Sequence, residues 1–239
     1  VIPAGEYKVT YVSDSGENWT DKGEYTVKIE DINSGNYVVS TSTAKFRIDA
    51  TAQAPLEIVN KPGLVYYGDT FTLSAVGGSG GAKVQWSSSD ENVAMIDANG
   101  LVTIKGPGAA TITATKTGGG NYDTAAAAYP LNALRKPVTA IVTADDKVFN
   151  GKTNATIHIT WEKGALVGTD QIDTSGLSGT FEDEHAGTNK TVTVAGTVVP
   201  DTTAQKYEIT IPSTATASIL KAEATAPSLT ANDWVYDGT

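Results

Sequence analysis

One phrase occurs twice in this chain. Residues 143–151 read TADDKVFNG and residues 230–238 read TANDWVYDG, so the two copies lie 87 residues apart. Repetition at a fixed spacing is typical of tandem domains, and this spacing is about the length of one small β-sandwich. The second copy stops at Thr239, where its domain would begin. We therefore expect part of a longer array of similar modules that works by reach and display and not by chemistry at one site.

The charge balance excludes several classes of partner. The formal net charge is −10 and no run of basic residues occurs, whereas nucleic acids and anionic lipids require clustered Lys or Arg. The chain has no cysteine, which removes any redox or thiolate–metal role. No apolar run approaches the length of a membrane span, so direct membrane insertion is not expected.

Apolar and polar residues alternate with a period of two in nearly every segment. Tyr7, Val9 and Tyr11 share one predicted face, as do Ile157, Ile159 and Trp161. This alternation is typical of antiparallel sheets with one solvated face. Further segments of this kind contain Tyr25, Val27 and Ile29, Phe46 and Ile48, Phe71, Leu73 and Ala75, and Tyr207, Ile209 and Ile211.

Turn signals separate these segments, among them Asn99-Gly100 and Asn150-Gly151. The only stretch compatible with a helix is Ala125–Ala128, which Tyr129-Pro130 ends at once. The sequence therefore predicts an all-β chain of tandem immunoglobulin-like (Ig-like) antiparallel β-sandwiches.

Three short segments that contain or adjoin proline predict the module boundaries: Asp49–Pro55, Leu134–Pro137 and Leu220–Pro227. The predicted modules are a partial repeat over 1–52, complete domains over 53–135 and 136–222, and the opening strand of a further repeat over 223–239. Because the joins are short, we expect an elongated, semi-rigid array.

The segment Trp86–Thr115 reads WSSSDENVAMIDANGLVTIKGPGAATITAT. It resembles bacterial Ig-like domain group 2, and the resemblance covers about residues 54–135. In that family Asn99-Gly100 would form a tight hairpin with positive φ, and Gly108 would allow a bend before the last strand.

The third module is similar to the YDG repeat of large bacterial surface proteins, over about 136–222. Lys147–Thr153 matches the opening phrase, with Phe149 and Asn150 in place of the usual Tyr and Asp, and Lys206 in place of the usual Asn. A second copy starts near 226 and contains the standard Val235–Thr239. Residues 1–50 resemble the closing part of a related Ig-like (MBG-type) repeat whose opening strand is absent.

These resemblances imply an extracellular, non-catalytic region of a bacterial cell-surface or secreted protein, acting as a stalk and in adhesion. The implied partners are a host protein or a glycan and neighbouring repeats of the same chain. A rival interpretation is an accessory carbohydrate-binding region of a secreted polysaccharide-degrading enzyme. We also expect residues 227–239 to be able to lend a strand to the incomplete first module of a neighbouring molecule.

Candidate reactive residues are few, and the sequence predicts no catalytic, cofactor-binding or metal-binding residue. His158 is predicted on a solvated sheet face, and His185, after Glu182-Asp183-Glu184, in a solvated turn. Gly77–Gly81 is interpreted as a flexible hairpin loop, and Asp145-Asp146 as a turn cap.

Two subtler features remain open. The first is an internal Lys–Asn amide crosslink, for which no pair is identified. The second is a glycan groove lined by Trp19 and Trp234, although core packing or an apolar edge contact is the favoured role for both residues.

Overall fold

The computed structural model describes residues 5, 7–13, 21–32, 35–38, 40–118, 120–225 and 237–238. Within these ranges the regular structure consists of 20 β-strands and one three-residue 3₁₀ helix. The predicted all-β, Ig-like fold is confirmed. The chain divides into two compact units, Val1–Leu134 and Arg135–Thr239.

The first unit begins with a three-stranded antiparallel sheet. Its strands are β1 (Tyr7–Ser13), β2 (Gly23–Asp31) and β3 (Ser42–Ile48), with β2 in the centre. Residues opposite each other across an antiparallel ladder share a face. The pairs Tyr11↔Val27 and Tyr25↔Phe46 therefore place apolar side chains on one side of this sheet.

A two-layer sandwich follows in the same unit. Its strands are β4 (Leu56–Val59), β5 (Val65–Tyr66), β6 (Thr70–Thr72), β7 (Ser74–Gly77), β8 (Val84–Ser88), β9 (Ala94–Ile96), β10 (Leu101–Ile104), β11 (Gly108–Lys116) and β12 (Ala125–Leu134). One layer has the order β5-β12-β11-β8, and the other contains β4-β7 and β6-β10-β9. Their facing side chains form one core, in which Ile58, Leu73, Val102 and Ile112 are almost fully buried. Burial of this apolar surface is the main term that stabilises the sandwich.

Hydrogen bonds from backbone N–H groups join the first sheet to this sandwich. The Lys22 N–H donates to Asn121 Oδ1 at 2.7 Å, and the Thr51 N–H donates to the Asn121 carbonyl at 2.7 Å. The Asp123 N–H in turn donates to the Thr51 carbonyl at 2.9 Å. We call Lys22, Thr51, Asn121 and Asp123 the junction cluster. The predicted join at Asp49–Pro55 is thus fixed to the loop after β11.

The helix-compatible run Ala125–Ala128 lies in strand β12, and Pro130 lies within the same strand. Thr111 lies opposite Pro130. The Thr111 N–H donates to Ser89 Oγ at 2.8 Å, and the Thr111 carbonyl accepts the Ser89 N–H at 3.0 Å. The Thr111–Pro130 pair therefore needs no ladder hydrogen bond, and the proline nitrogen faces the other edge of β12. On that edge β5 begins to pair only at Ala133, so the missing N–H costs no ladder bond.

The second unit is a sandwich of two sheets. Its elements are β13 (Lys136–Ala144), β14 (Lys147–Val148), β15 (Asn154–Ala155), β16 (Ile157–Trp161), β17 (Leu177–Phe181), β18 (Gly187–Gly196), a 3₁₀ helix (Ala204–Lys206), β19 (Tyr207–Thr210) and β20 (Thr214–Leu220). The sheets have the orders β16-β13-β19 and β14-β20-β18-β17-β15. Phe181, Val192, Ala217 and Ile219 form a buried cluster between them.

Early and closing strands pair in parallel in both sandwiches. In the first, β5 is parallel to β12, and in the second, β13 is parallel to β19 and β14 to β20. The ladders continue by single bonds just beyond the strands: the Tyr67 N–H donates to Leu134 O at 2.9 Å, and the Phe149 N–H to Leu220 O at 2.8 Å. One residue, Arg135, separates β12 from β13.

The hairpin between β9 and β10 confirms the predicted role of Asn99-Gly100. Gly100 has φ +85°, and a Cβ added there would lie 2.4 Å from the Leu73 carbonyl oxygen. Asp97 completes the turn by accepting the N–H groups of Asn99 and Leu101 at 2.8 and 2.9 Å. Gly108, for which the sequence predicted a bend, has φ +142°.

We expect Gly100→Ala to lower the free energy of unfolding by at least about 2 kcal/mol, since it adds left-handed strain and a backbone clash. The matched control is Gly81→Ala, where an added Cβ meets nothing within 4 Å. Chemical denaturation should show a change within about 1 kcal/mol for the control. Equal effects for both variants would contradict this account of the hairpin.

Candidate functional site

His158 lies on β16 at the solvent-facing position predicted for it. Its Nε2 is 2.9 and 3.0 Å from the two carboxylate oxygens of Asp145, and both side chains are more than half exposed. Asp146, the neighbour of Asp145, accepts the Ser218 N–H at 2.6 Å. Each aspartate therefore contacts a distant strand, and neither caps its own turn as the sequence suggested.

His185 lies in an exposed turn, as predicted, and its N–H donates to Asp183 Oδ1 at 2.7 Å. The acidic residues beside it, Glu182 and Asp183, form ion pairs with a lysine side chain. Lys190 Nζ lies 2.7 Å from Asp183 Oδ1 and 3.6 Å from Glu182 Oε1. Across the described ranges, no three His, Asp or Glu side chains converge in a way that could hold a metal ion.

Lys190 is buried because of its register on β18. Lys190 lies two residues before Val192 and four before Val194, so it shares their core-facing side, and the register shift of the strand comes earlier, between Gly187 and Lys190. Its side chain is 9% exposed, while that of Asp183 is 42% exposed. The aliphatic stem is thus covered and the ammonium reaches the rim, where it meets its carboxylate partner.

Electrostatics keep the Lys190–Asp183 pair charged. Its hydrogen bond to Asp183 raises the pKa of Lys190, and the same bond lowers the pKa of Asp183 below its ordinary value. Both shifts stabilise the charged forms, so the pair is a salt bridge. The Lys–Asn crosslink considered from the sequence stays a prediction.

The segment Gly77–Gly81 satisfies the Gly-x-Ser-x-Gly spacing of hydrolase nucleophile elbows. Such elbows join a strand to a helix, but this segment connects the two strands β7 and β8. Ser79 Oγ accepts the Ala54 N–H at 3.1 Å, and the Ser79 N–H donates to Gln53 Oε1 at 2.9 Å. Ser79 therefore ties the chain after β3 to the sandwich, which agrees with the predicted hairpin loop and gives it a structural role.

Trp19 and Trp234, the candidates for glycan stacking, lie outside the described residues, as do residues 227–236 of the proposed donor strand. The described part of the chain contains no helix with the length and apolar character needed to cross a membrane.

The most unusual surface is the apolar side of the first sheet. We call it the open face, and its residues are Tyr7, Val9, Tyr11, Tyr25, Val27, Ile29, Ala44, Phe46 and Ile48. The three strands pair only with one another among the described residues. Val9 is 40% exposed and Tyr11 53%, although both occupy positions that would face a core. The alternation predicted from sequence is present, but in this part of the structure no second sheet covers it.

Tyr25 is the exception on the open face, since it is fully buried. Its ring stacks on Phe46 with centroids 5.2 Å apart, and its hydroxyl donates to the Asp21 carbonyl at 2.6 Å. Tyr207 in the second unit is also buried, and its hydroxyl bonds Asp170 Oδ2 at 2.7 Å. In each case a buried tyrosine satisfies its hydroxyl within the fold.

We expect Asp183→Asn to lower the melting temperature of the second unit at pH 5–8, because it leaves the buried Lys190 ammonium without its main partner. The lowered pKa of Asp183 means that its contribution is present above the unfolded-state pKa of about 3.9 and is lost as pH falls through the folded value. The deficit should therefore fade below about pH 4.

Thermal unfolding followed by circular dichroism from pH 2.5 to 8 measures this deficit. The control is Asp49→Asn, which removes an exposed pair with Arg47 and should change little. A deficit of the same size at pH 3 and pH 7 would show that the Asp183 charge is not the cause.

Two families match separate segments of the chain. The YDG domain matches residues 134–217, which confirms the YDG resemblance of the third module. The family described as "Intimin, immunoglobulin-like domain" matches residues 67–118. The Ig-like nature of the second module is therefore supported, while its assignment to group 2 and the second YDG copy near 226 stay predictions.

Among curated proteins, intimin of Citrobacter freundii is 30% identical over 163 residues, which is 58% of this chain and 17% of that protein. The chain thus spans about a sixth of that relative. Among solved structures, the S-layer protein rSbsC is similar at 16% identity and a TM-score of 0.30, over 92% of this chain and 36% of that one. A 282-residue C-terminal fragment of intimin, solved with the intimin-binding domain of its translocated receptor, is similar at 19% identity and a TM-score of 0.26. The match covers 60% of this chain and 57% of that fragment. TM-scores at this level establish no shared arrangement, so the relationship rests on the two matched segments and the intimin sequence.

Proposed function

We propose that this chain is a non-catalytic Ig-like region of a bacterial cell-surface protein that acts as a tension-bearing stalk. The observation that carries the proposal is the parallel pairing of early and closing strands in both sandwiches. The matched YDG and intimin Ig-like segments and the sequence similarity to intimin support a place on the cell surface.

Parallel pairing determines how a pulled domain responds. Tension along the chain draws the early strand one way and the closing strand the other. If the two strands are parallel, they must slide past each other, so all of their hydrogen bonds are loaded together. If they were antiparallel neighbours with ends on one side, the bonds would open one after another. In the second unit the loaded pairs are Lys147↔Ile219 and Val148↔Leu220. The hydrogen bond from the Phe149 N–H to Leu220 O extends this ladder by one step.

The connection between the two units favours the same role. Leu134 is held by the Tyr67 N–H, and Lys136 is already paired with Tyr207 in the ladder of β13 and β19. Only Arg135 lies between these two anchored residues. A link of one residue leaves few free dihedral angles, so little of the applied extension is absorbed by a slack linker.

Adhesion is the finer part of the proposal. The intimin fragment was solved with a receptor domain, and binding to a host receptor protein is proposed here by analogy with that relative. The exposed apolar side chains of the open face supply the kind of surface that monomeric domains seldom leave uncovered.

We expect Phe149→Pro to lower the force at which the second unit unfolds, because it removes the N–H that donates to Leu220 O. Phe149→Ala is the matched control, since it removes the same ring and keeps the N–H. Pulling single molecules from both ends should show the loss only in the event that releases Lys136–Leu220, about 300 Å of chain.

Unchanged forces for Phe149→Pro, or the same loss in Phe149→Ala, would contradict the proposed shear geometry. Events from the first unit provide an internal reference in every trace, because the substitution lies outside that unit.

A further inference from the structure

The chain contains two Asn-Gly steps, and they lie in different surroundings. One is Asn99-Gly100, in the hairpin between β9 and β10, and the other is Asn150-Gly151, in the loop between β14 and β15. Both glycines have a left-handed backbone, with φ +85° at Gly100 and +69° at Gly151. The two steps therefore share their residue types and backbone region, and they differ in what surrounds them.

An Asn-Gly step can react with itself, because glycine has no side chain to shield its main-chain nitrogen. That nitrogen, after losing its proton to water, attacks Cγ of the asparagine. A five-membered succinimide ring closes, and the side-chain nitrogen leaves as ammonia. Water then opens the ring at either carbonyl and gives aspartate or isoaspartate. The reaction needs the glycine nitrogen to be accessible and close to Cγ, with room for the ring.

The surroundings of Gly100 prevent this reaction. The Gly100 N–H donates to the Asp97 carbonyl at 3.1 Å, and the Gly100 carbonyl accepts the Leu73 N–H at 2.9 Å. Gly100 is also buried. Attack on Asn99 therefore requires the hairpin to open first, which breaks both hydrogen bonds and exposes packed atoms to water.

Gly151 has none of these constraints. It is exposed, and a Cβ added there would meet no heavy atom within 4 Å. Its N–H donates to no group in the part of the chain that the structure describes. The nitrogen is therefore accessible in the folded protein, and the space beside it is open.

The side chain of Asn150 already faces its own main chain. Asn150 Oδ1 accepts the Lys152 N–H at 3.2 Å. A bond of this kind folds an asparagine side chain back over the next peptide group, which brings Cγ towards the Gly151 nitrogen. The Lys152 N–H also polarises the amide carbonyl and would stabilise the negative charge that develops on Oδ1 during attack.

We propose that Asn150 is a self-modification site, at which the Gly151 nitrogen displaces ammonia in the folded chain and leaves aspartate or isoaspartate. The fold selects Asn150 over Asn99, because only Gly151 combines an accessible nitrogen, open space and an asparagine side chain held over the main chain.

The loop accommodates a negative charge at this position. Lys147 Nζ donates to the carbonyls of Lys152 and Asn154, at 2.5 and 3.0 Å, so its ammonium lies within the loop. The second copy of the repeated phrase has an aspartate at the corresponding position, Asp237, and the glycine after it keeps φ +74°. An aspartate is therefore compatible with this backbone.

Isoaspartate would change the main chain as well as the charge. It carries the backbone through the former side chain and lengthens it by one methylene group directly after Phe149. The Phe149 N–H donates to Leu220 O at 2.8 Å, at the end of the parallel ladder. The modified position therefore adjoins the pair on which the stalk proposal depends, although the modification itself does not rest on that proposal.

Peptide mapping by mass spectrometry tests the proposal on the full chain aged at pH 8 and 37 °C. Trypsin cleavage after Lys147 and Lys152 releases the peptide Val148–Lys152, in which Asn150 has the only side-chain amide. We expect amide loss at Asn150 to be at least about tenfold faster than at Asn99, because the buried hairpin must open before Gly100 can react. Part of the product should be isoaspartate, which only the ring route gives.

Two controls separate the effect of the fold from that of the sequence. In the chain unfolded by urea, we expect Asn150 and Asn99 to lose their amides at similar rates. In the variant Asn150→Gln the amide is kept, but attack would have to close a less favoured six-membered ring. The mass gain of Val148–Lys152 should therefore disappear.

Equal rates at Asn150 and Asn99 in the folded chain would overturn the proposal. The same preference in urea would show that sequence and not structure selects Asn150, which overturns it as well. A product free of isoaspartate would show direct hydrolysis by water without attack by the Gly151 nitrogen, and that result also contradicts the proposal.

Discussion

A β-sheet with one apolar face is stable in water only if a second layer covers that face, and this requirement organises the whole chain. Two sheets meet this need around Ile112 and Val102 in the first unit, and around Phe181 and Val192 in the second. The sheet of β1, β2 and β3 has the same alternation, but the part of the chain that the structure describes provides no layer facing it. It meets the requirement only in part, by sheltering Tyr25 beneath Phe46. Val9 and Tyr11, which occupy core-facing positions, stay about half exposed.

Parallel closing strands link the architecture to the proposed role. In a sandwich, a parallel pair requires a crossover between the two strands, and such non-local pairs form slowly during folding. The benefit appears once the domain is folded, because the same pair couples the two ends of the domain directly. A surface module under intermittent tension gains kinetic stability from such a pair without a larger core.

Local features of the structure could be read from the sequence, while features that join distant residues could not. The alternation of Ile157, Ile159 and Trp161 predicts β16 correctly because side chains on a strand change face at every residue. Gly100 was predictable because a tight hairpin that closes on Asn-Gly requires positive φ at the glycine. In contrast, the contact of Lys22 with Asn121 spans 99 positions, and no periodicity encodes it. Lys190 faces inward in step with Val192 and Val194, so its direction follows from counting, but its partner Asp183 lies seven residues away across a turn and is not given by that period.

The position of Pro130 has a consequence for how such molecules coexist at high local density. Its nitrogen faces the edge of β12 that β5 leaves uncovered before Ala133. A strand from a neighbouring molecule that approached there would find no donor at this point and would meet the pyrrolidine ring. Natural sheets use proline in this way to prevent indiscriminate edge-to-edge pairing. Crowded copies on a surface would then be kept from fusing along β12, which leaves selective contacts to other edges.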